Sequence, residues 1–210
     1  MRRSIREGVV LVGVCILAGA TAWGQQTRKP APVSADLAIT YAPERAQSVP
    51  GQCCFWMQGG AADAAATFWK GLGIAASLTG DHSSNYMPGI DVNKIAYLAG
   101  PRYTYTTRAG HAGAVATPRF QIFGQGLFGG VHGFNGVYPT SSGTVSSANS
   151  SAIQIGGGLN LFLSRNLGVR LLEVDYVRTA LPNSAANAQD DMHLAFGFTY
   201  HIDSVSLHRR

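Results

Sequence analysis

The stretch "DDMHLAFGFTYHI", positions 190–202, divides by parity. Met192, Leu194, Phe196, Phe198, Tyr200 and Ile202 are apolar, whereas Asp191, His193, Ala195, Gly197, Thr199 and His201 are polar or small. Side chains alternate across a strand, so this segment has one greasy face and one wet face. The same period recurs upstream. Positions 36–42 align Leu37, Ile39 and Tyr41, and positions 71–82 set Leu72, Ile74, Ala76 and Leu78 against Gly73, Ala75, Ser77 and Thr79. Positions 93–107 oppose Ile95, Tyr97, Ala99, Tyr103 and Tyr105 to Lys94, Gly100, Arg102 and Thr104, with Pro101 on the apolar parity. Positions 151–164 oppose Ile153, Ile155, Leu159, Leu161 and Leu163 to Gln154, Gly156, Gly158 and Asn160.

Segments at 55–66, 119–134 and 167–182 complete a set of eight. The one helical candidate, "GGAADAAATFWKG", is Ala-rich and ambiguous by propensity. Its Gly pair and flanking aromatics favour a strand that runs into a tight "TFWK" turn. Segment 119–134 has mixed parity and is expected to contain a bulge.

The connections suggest how the eight strands are wired. "TFWK" and "SRN" read as short turns, whereas "PERAQSVPGQC", "SSNYMPGIDV", "NGVYPTSSGTVSSANS" and "NSAANAQ" read as longer polar loops at the opposite end. Only "RAGHAGAVATP" is long for its side. Short turns at one rim and long loops at the other, with an even strand count, is the wiring of a membrane barrel. The predicted fold is therefore all-β: an eight-stranded antiparallel up-and-down transmembrane β-barrel.

Composition separates this from a soluble β-sandwich, the competing reading. Charged residues are 13% of 210, against about 25% in soluble domains. The wet parities are mostly Gly, Ala, Ser, Thr, Asn and Gln, which suit a narrow interior better than a face open to bulk water. Tyr41, Trp56, Trp69, Tyr103, Tyr105, Tyr176 and Tyr200 fall at strand ends, where aromatic girdles meet the membrane interfaces.

The first residues read as an export signal. Arg2, Arg3 and Arg6 precede the apolar run "GVVLVGVCILAGATA", and "AWG" places small residues for a cut before Gln25. That run is shorter than the ~20 residues of a bilayer-spanning helix. Cys15 lies mid-run without the small residue of a lipoprotein site directly before it. The expected organisation is a signal peptide at 1–24, a flexible periplasmic leader at 25–35, the barrel at 36–202 and a short tail at 203–210. Losing the signal takes three Arg and one Glu from totals of 16 basic and 11 acidic residues, leaving 13 and 10, net +3. The basic residues are scattered, so there is no nucleic-acid footprint. Cys53 and Cys54 are adjacent, which argues against a disulfide framework; they read as two small apolar residues at a strand start. No cofactor or metal motif is present, and "GQGLFGG" belongs to a strand, not to a phosphate-binding turn.

One strand carries charge on both parities. In "GVRLLEVDYV", Arg170 opposes Glu173 and Asp175. A basic group facing hydrocarbon at the midplane costs about 2–4 kcal/mol. A bulge at Leu171 and Leu172 would turn all three charges inward, and buried charges need partners. Arg102, Arg170, Glu173 and Asp175 are thus expected to form an interior ion-pair network. It is read as a structural plug, with a conducting or gating role as the alternative.

"AGPRYTYTT", "GQGLFGGVHGF", "SSANSSAIQIGGGLNLFLSRNLGVRLLEVDYVRTALPN" and "GFTYHI" together resemble the OmpA-like, opacity-porin-like outer-membrane barrels. The resemblance spans about residues 36–202. It implies a monomeric eight-stranded barrel, in contact with outer-membrane lipid and lipopolysaccharide and inserted by the barrel-assembly machinery. That machinery reads the last strand, where Gly197, Tyr200 and Ile202 match the family's terminal signal. The match departs from the family in ending on Ile with "DSVSLHRR" beyond it, and the peptidoglycan-binding domain of full-length OmpA is absent.

A second functional class rests on "DHSSNYMPG" (81–89), which resembles the H-x-S-N stretch of outer-membrane lipid A deacylases. His82 and Ser84 would serve there as base and nucleophile on one strand face. The fourth segment offers no Glu to orient the His, and Asp81 lies on the opposite face. His132 and His193 read as lumen fillers. The sequence therefore predicts a non-enzymatic outer-membrane barrel, structural or adhesive, with weak pore activity as a further option.

Overall fold

The computed structural model describes residues 33–47, 54–87, 90–107, 111–112, 115–116, 119–140, 143–183 and 187–203. Eight antiparallel strands dominate it: β1 (Ser34–Tyr41), β2 (Phe55–Trp69), β3 (Leu72–Met87), β4 (Ile90–Thr106), β5 (Arg119–Thr140), β6 (Gly143–Phe162), β7 (Leu167–Thr179) and β8 (Gln189–Ile202). A short continuation of β1, Glu44–Ala46, pairs with the same two neighbours, β2 and β8. A two-residue ribbon, His111–Ala112 against Val115–Ala116, lies between β4 and β5. Each strand pairs with the next in sequence, and β1 pairs with both β2 and β8. The sheet is thereby a closed up-and-down ring, with no strand edge left within the spanning part.

The parity of the sequence becomes an inside and an outside. At the closing seam Leu37 faces Tyr200, Ile39 faces Phe198 and Tyr41 faces Phe196. Ile39 is 75% exposed and Phe198 68%, whereas Asp36, Thr40, Thr199 and His201 are buried. A core-forming sheet would have these exposures reversed. The interstitial apolar faces of β3, β4 and β6 are exposed in the same way through Ile74, Leu78, Tyr97, Ile153 and Ile155. The Ala-rich segment is strand along its whole length, and the turn after it lies at Lys70 and Gly71, both with positive φ.

Four expectations are corrected. "SSNYMPGIDV" and "NGVYPTSSGTVSSANS" are not long loops: β3 runs to Met87, and β5 and β6 stay paired out to Thr140 and Gly143. Strand pairing satisfies the backbone there although the greasy alternation stops. The mixed parity of 119–134 is not a bulge inside that stretch. Gln121, Phe123, Gln125, Leu127 and Val131 are all buried, so the confusion comes from apolar residues pointing inward, and the ladder with β6 shifts later, between Phe134 and Tyr138. The barrel begins at Ser34, inside the span assigned to the leader; the remainder of that leader, the signal peptide and residues 204–210 lie outside the described residues. Cys54 is disulfide-bonded, a state that an oxidising compartment permits and adjacent spacing does not suggest; Cys53 lies outside the described residues.

Strand β7 does contain the inward-turning irregularity. Its register shifts between Arg170 and Glu173 against β8, and between Arg170 and Leu172 against β6. Leu171 and Leu172 are consecutive and both exposed, while Arg170, Glu173 and Asp175 are all buried. Deleting Leu171 should remove the extra residue and force either Arg170 or the two carboxylates outward. We expect that variant to lose the heat-modifiable folded band on gels, while Leu171→Ala keeps it; equal folding of both would show that the irregularity is dispensable.

Candidate functional site in the barrel interior

The inward parities bring twelve titratable Asp, Glu, Lys, Arg and His side chains into a narrow space, and they sort into two clusters. The first centres on Arg170. Its Nη1 donates to Glu173 Oε2 at 2.5 Å and to Asp63, and its Nε donates to Asn160 Oδ1 at 3.2 Å. Gln125 Nε2 donates to Glu173 Oε1 at 2.8 Å, so both carboxylate oxygens are occupied. A polar chain continues towards the turn end of the barrel. Asn160 Nδ2 donates to Gln121 Oε1 at 2.6 Å, Gln121 Nε2 to Asp36 Oδ2 at 3.1 Å, and Asp36 Oδ1 meets His201 Nδ1 at 2.6 Å.

Phe123 is the centre of this layer. The guanidinium carbon of Arg102 lies 3.5 Å from its ring centroid, and that of Arg170 lies 4.9 Å away. A buried ring approached by two guanidinium groups offers its negative π cloud where hydrocarbon would offer nothing. Arg102 is 3% exposed, and its Nε and Nη2 have no hydrogen-bond partner among the described residues. Its position is therefore set by the stack and by the field of the neighbouring carboxylates.

The second cluster sits nearer the opposite rim, around Lys94. The ammonium group pairs with Glu44 and lies 3.5 Å from Asp191 Oδ2, with all three side chains buried. Asp191 Oδ1 also accepts from the Gln47 amide at 2.8 Å. Asp175 Oδ2 accepts from Gln154 Nε2 at 2.8 Å and lies 3.4 Å from His193 Nδ1. Asp81 is buried, and neither carboxylate oxygen has a hydrogen-bond partner among the described residues.

Beside the Lys94 cluster the cavity is small. The cavity lined by Glu44, Asp81, Lys94, Leu98, Gln154 and His193 measures about 10 Å³, room for one water molecule at most. Leu98, which lines this cavity, also belongs to an apolar cluster with Leu127, Val131, Tyr138, Ala152 and Leu181. At the turn end the lumen widens to about 310 Å³, lined by Ser34, Thr67, Lys70, Tyr103, Gln121 and His201 among others.

The structure thus divides the four charges singled out in the sequence. Arg170 and Glu173 are in direct contact, Arg102 joins them through Phe123, and Asp175 belongs with Gln154 and His193. Asp63, Glu44 and the Lys94 cluster were not foreseen as partners. Lys94 and Asp191 stand on inward parities and could have been paired by that signal, but Asp63 lies in an Ala run whose parity carries almost no contrast. Phe123 gives no polar signal at all.

The outer surface carries the girdles. Tyr41, Trp56 and Tyr176 are exposed towards one rim, and Trp69, Tyr103, Tyr105 and Tyr200 towards the other. His82 and Ser84 are both exposed. His82 Nδ1 meets Asn93 Oδ1 at 2.8 Å, so a neutral amide stands where a hydrolase would place a carboxylate, and the adjacent Asp81 faces inward. Gly197 lies on the inward parity at the seam, where a Cβ would stand 2.3 Å from the Ile39 carbonyl oxygen. Tyr200 is exposed, and Ile202 is half-buried.

The fold of this ring is similar to that of known structures. Ail, the attachment invasion locus protein of Yersinia pestis, solved with the heparin analogue sucrose octasulfate, matches with a TM-score of 0.52 at 16% identity, covering 81% of this chain and 99% of that one. Neisserial surface protein A matches with a TM-score of 0.52 at 11% identity, covering 82% and 99%. The fold is that of an eight-stranded outer-membrane β-barrel. No family model and no curated protein sequence matches the chain.

Within this barrel Arg170 is the group whose loss should be felt most. Truncating it to Ala would leave Asp63 and Glu173 as uncompensated buried carboxylates, a change worth about 3–5 kcal/mol. We expect Arg170→Ala to lower the urea midpoint of the lipid-reconstituted protein steeply. Phe123→Leu, which removes only the stacking face, should cost about 2 kcal/mol or less. Equal losses in the two variants would show that the ion pairs add nothing beyond packing.

Proposed function

We propose that this chain is exported to the outer membrane of a Gram-negative bacterium and serves there as a closed, non-enzymatic barrel, structural or adhesive, displaying the rim that bears the β5–β6 hairpin to the outside. The observation that carries the reading is the crowded interior: two ion-pair clusters and an apolar cluster occupy it, and the cavity beside Lys94 measures only about 10 Å³. A continuous aqueous path would require both clusters to part. The apolar outer band and its aromatic girdles suit contact with outer-membrane lipid, including lipopolysaccharide, around a single barrel.

A lipid-modifying role through His82 and Ser84 is disfavoured by the same geometry. A nucleophilic Ser needs a base held and polarised by a third group. Asn93 holds His82, but it carries no charge to stabilise an imidazolium. His82 and Ser84 are read instead as polar groups of the outer rim.

Assembly is assigned to the last strand. Gly197 permits close approach at the seam, and Tyr200 and Ile202 present the terminal signal.

Two measurements test this reading. Purified protein in planar bilayers should give no large, stable channels; their appearance in the unaltered protein would overturn the closed lumen. Replacing Tyr200 and Ile202 together by Ser should reduce membrane yield in cells more than it reduces the stability of protein refolded in detergent. Normal membrane yield would remove the last strand from the assembly role.

A further inference from the structure

Buried polar atoms that lack a partner separate by kind along the barrel. Among the described residues, both oxygens of Asp81, Asp175 Oδ1 and His193 Nε2 are left over around the Lys94 cluster. Towards the turn end the atoms left over are Arg102 Nε and Nη2, Thr104 Oγ1 and Arg119 Nε. Every atom of this second set can donate a hydrogen bond. A buried donor without an acceptor is costly, and a group of them at one end requires a physical cause.

Arg102 shows which acceptor is missing. The flat face of its guanidinium rests on Phe123, 3.5 Å from the ring centroid, which leaves its edges for hydrogen bonding. Nε and Nη2 belong to one edge, and their parallel N–H bonds match two oxygens of a single phosphate or carboxylate. Thr104 stands two residues further along the same inward face of β4 and is buried. It lines the cavity of about 310 Å³ at the turn end, together with Lys70, Gln121 and His201. That volume suffices for a small-molecule site.

The charges of this end point the same way. Lys70, Arg102 and Arg119 form no ion pair among the described residues. The nearby carboxylates are already engaged: Asp36 accepts from Gln121 at 3.1 Å and meets His201 at 2.6 Å, and Asp203 pairs with Arg165 at 2.9 Å. Arg119 is held by its stack on Phe162 and by the Arg165 carbonyl, so it adds positive field without needing to touch a ligand.

We propose that the turn-end cavity is a binding site for a phosphate-class oxyanion. Lys70 stands at the exposed mouth, Thr104 donates from the wall, and the Nε and Nη2 edge of Arg102 closes the inner end. Three separate donor groups suit the tetrahedral oxygens of phosphate better than the planar pair of a carboxylate. Gln121 and His201 have their polar atoms committed to Asn160, Asp36 and Asp203, so they shape the wall without competing for the ligand. That this rim faces the periplasm rests on the orientation proposed above; the site does not, so the test uses purified protein.

The protein is refolded in octyl glucoside, a detergent without phosphorus, and inorganic phosphate is titrated while the side-chain Nε–H signals of arginine are followed by NMR. We expect the Arg102 signal, assigned through Arg102→Lys, to shift saturably and the affinity to fall as salt is raised. In the double variant Lys70→Gln, Thr104→Val the affinity should weaken at least about tenfold. A parallel titration with short-chain phosphatidylglycerol separates the two sources of phosphate. Saturation by inorganic phosphate assigns a soluble ligand, and saturation by the lipid alone, with the same loss in the double variant, assigns a headgroup at the rim; either upholds the site. If neither probe moves the Arg102 signal of the unaltered protein, the donors are satisfied by water and the proposal fails, whether or not the variants fold. Binding of equal strength in the folded double variant would overturn it as well.

Discussion

Hydrocarbon offers no partner for a backbone N–H or C=O, and this exclusion governs the whole molecule. A sheet can cross it only if every edge is paired, so the strands must close on themselves. The seam between β1 and β8 is where that closure is made, and Gly197 shows how tightly. A side chain there would meet the Ile39 carbonyl at 2.3 Å, so the last strand could not lie at bonding distance from the first. Closure in turn dictates the parity: one set of side chains must be content in lipid and the other in a space too narrow for bulk water.

The interior then faces a conflict that charge alone does not resolve. Twelve titratable Asp, Glu, Lys, Arg and His side chains sit inside the ring, and carboxylates outnumber Lys and Arg. Dispersing them into two clusters keeps two of the three cations next to carboxylates, Lys94 with Glu44 and Asp191 and Arg170 with Asp63 and Glu173, while Arg102 rests on Phe123. Neutral amides complete the remaining valences, as Gln125, Gln154, Asn160 and Gln121 do by donating to carboxylates or to one another. Phe123 has a less obvious part. It fills the mid-lumen volume and at the same time receives two guanidinium groups, so an apolar side chain does electrostatic work that a Leu of similar size could not.

Much of this was legible in the sequence, and the failures have physical causes. Strand number, inward and outward faces, and the irregularity at Leu171 and Leu172 all followed from the cost of exposing charge or greasy side chains to the wrong medium. That cost is large inside the membrane and vanishes above it, which is why the reading failed beyond the membrane: the Ser-rich stretch at 143–151 looked like a loop and is paired strand. Parity also loses contrast where residues are small. Asp63 was missed among alanines, and Phe123 and Leu127 on an inward parity made a regular strand look bulged. Pairing partners inside the lumen depend on strands far apart in sequence, such as Asp63 and Arg170 across the ring, and no local pattern encodes them.

The same exclusion explains why the protein's two ends of β6 behave so differently. Within the membrane its edge must be paired by β7, and Ile153 to Leu161 can be as greasy as lipid demands. Once the strand leaves that medium, water satisfies the backbone and the requirement for a neighbour disappears. An unpaired edge is then tolerated but not neutral, because it remains complementary to any extended chain that approaches it. On β5 that complementarity is interrupted by Asn135, the shifted ladder and Pro139. On β6 the same register break falls at Ser146, and Val145 turns its backbone groups to Tyr138, so both strands of the hairpin are irregular once the membrane no longer demands an unbroken ladder.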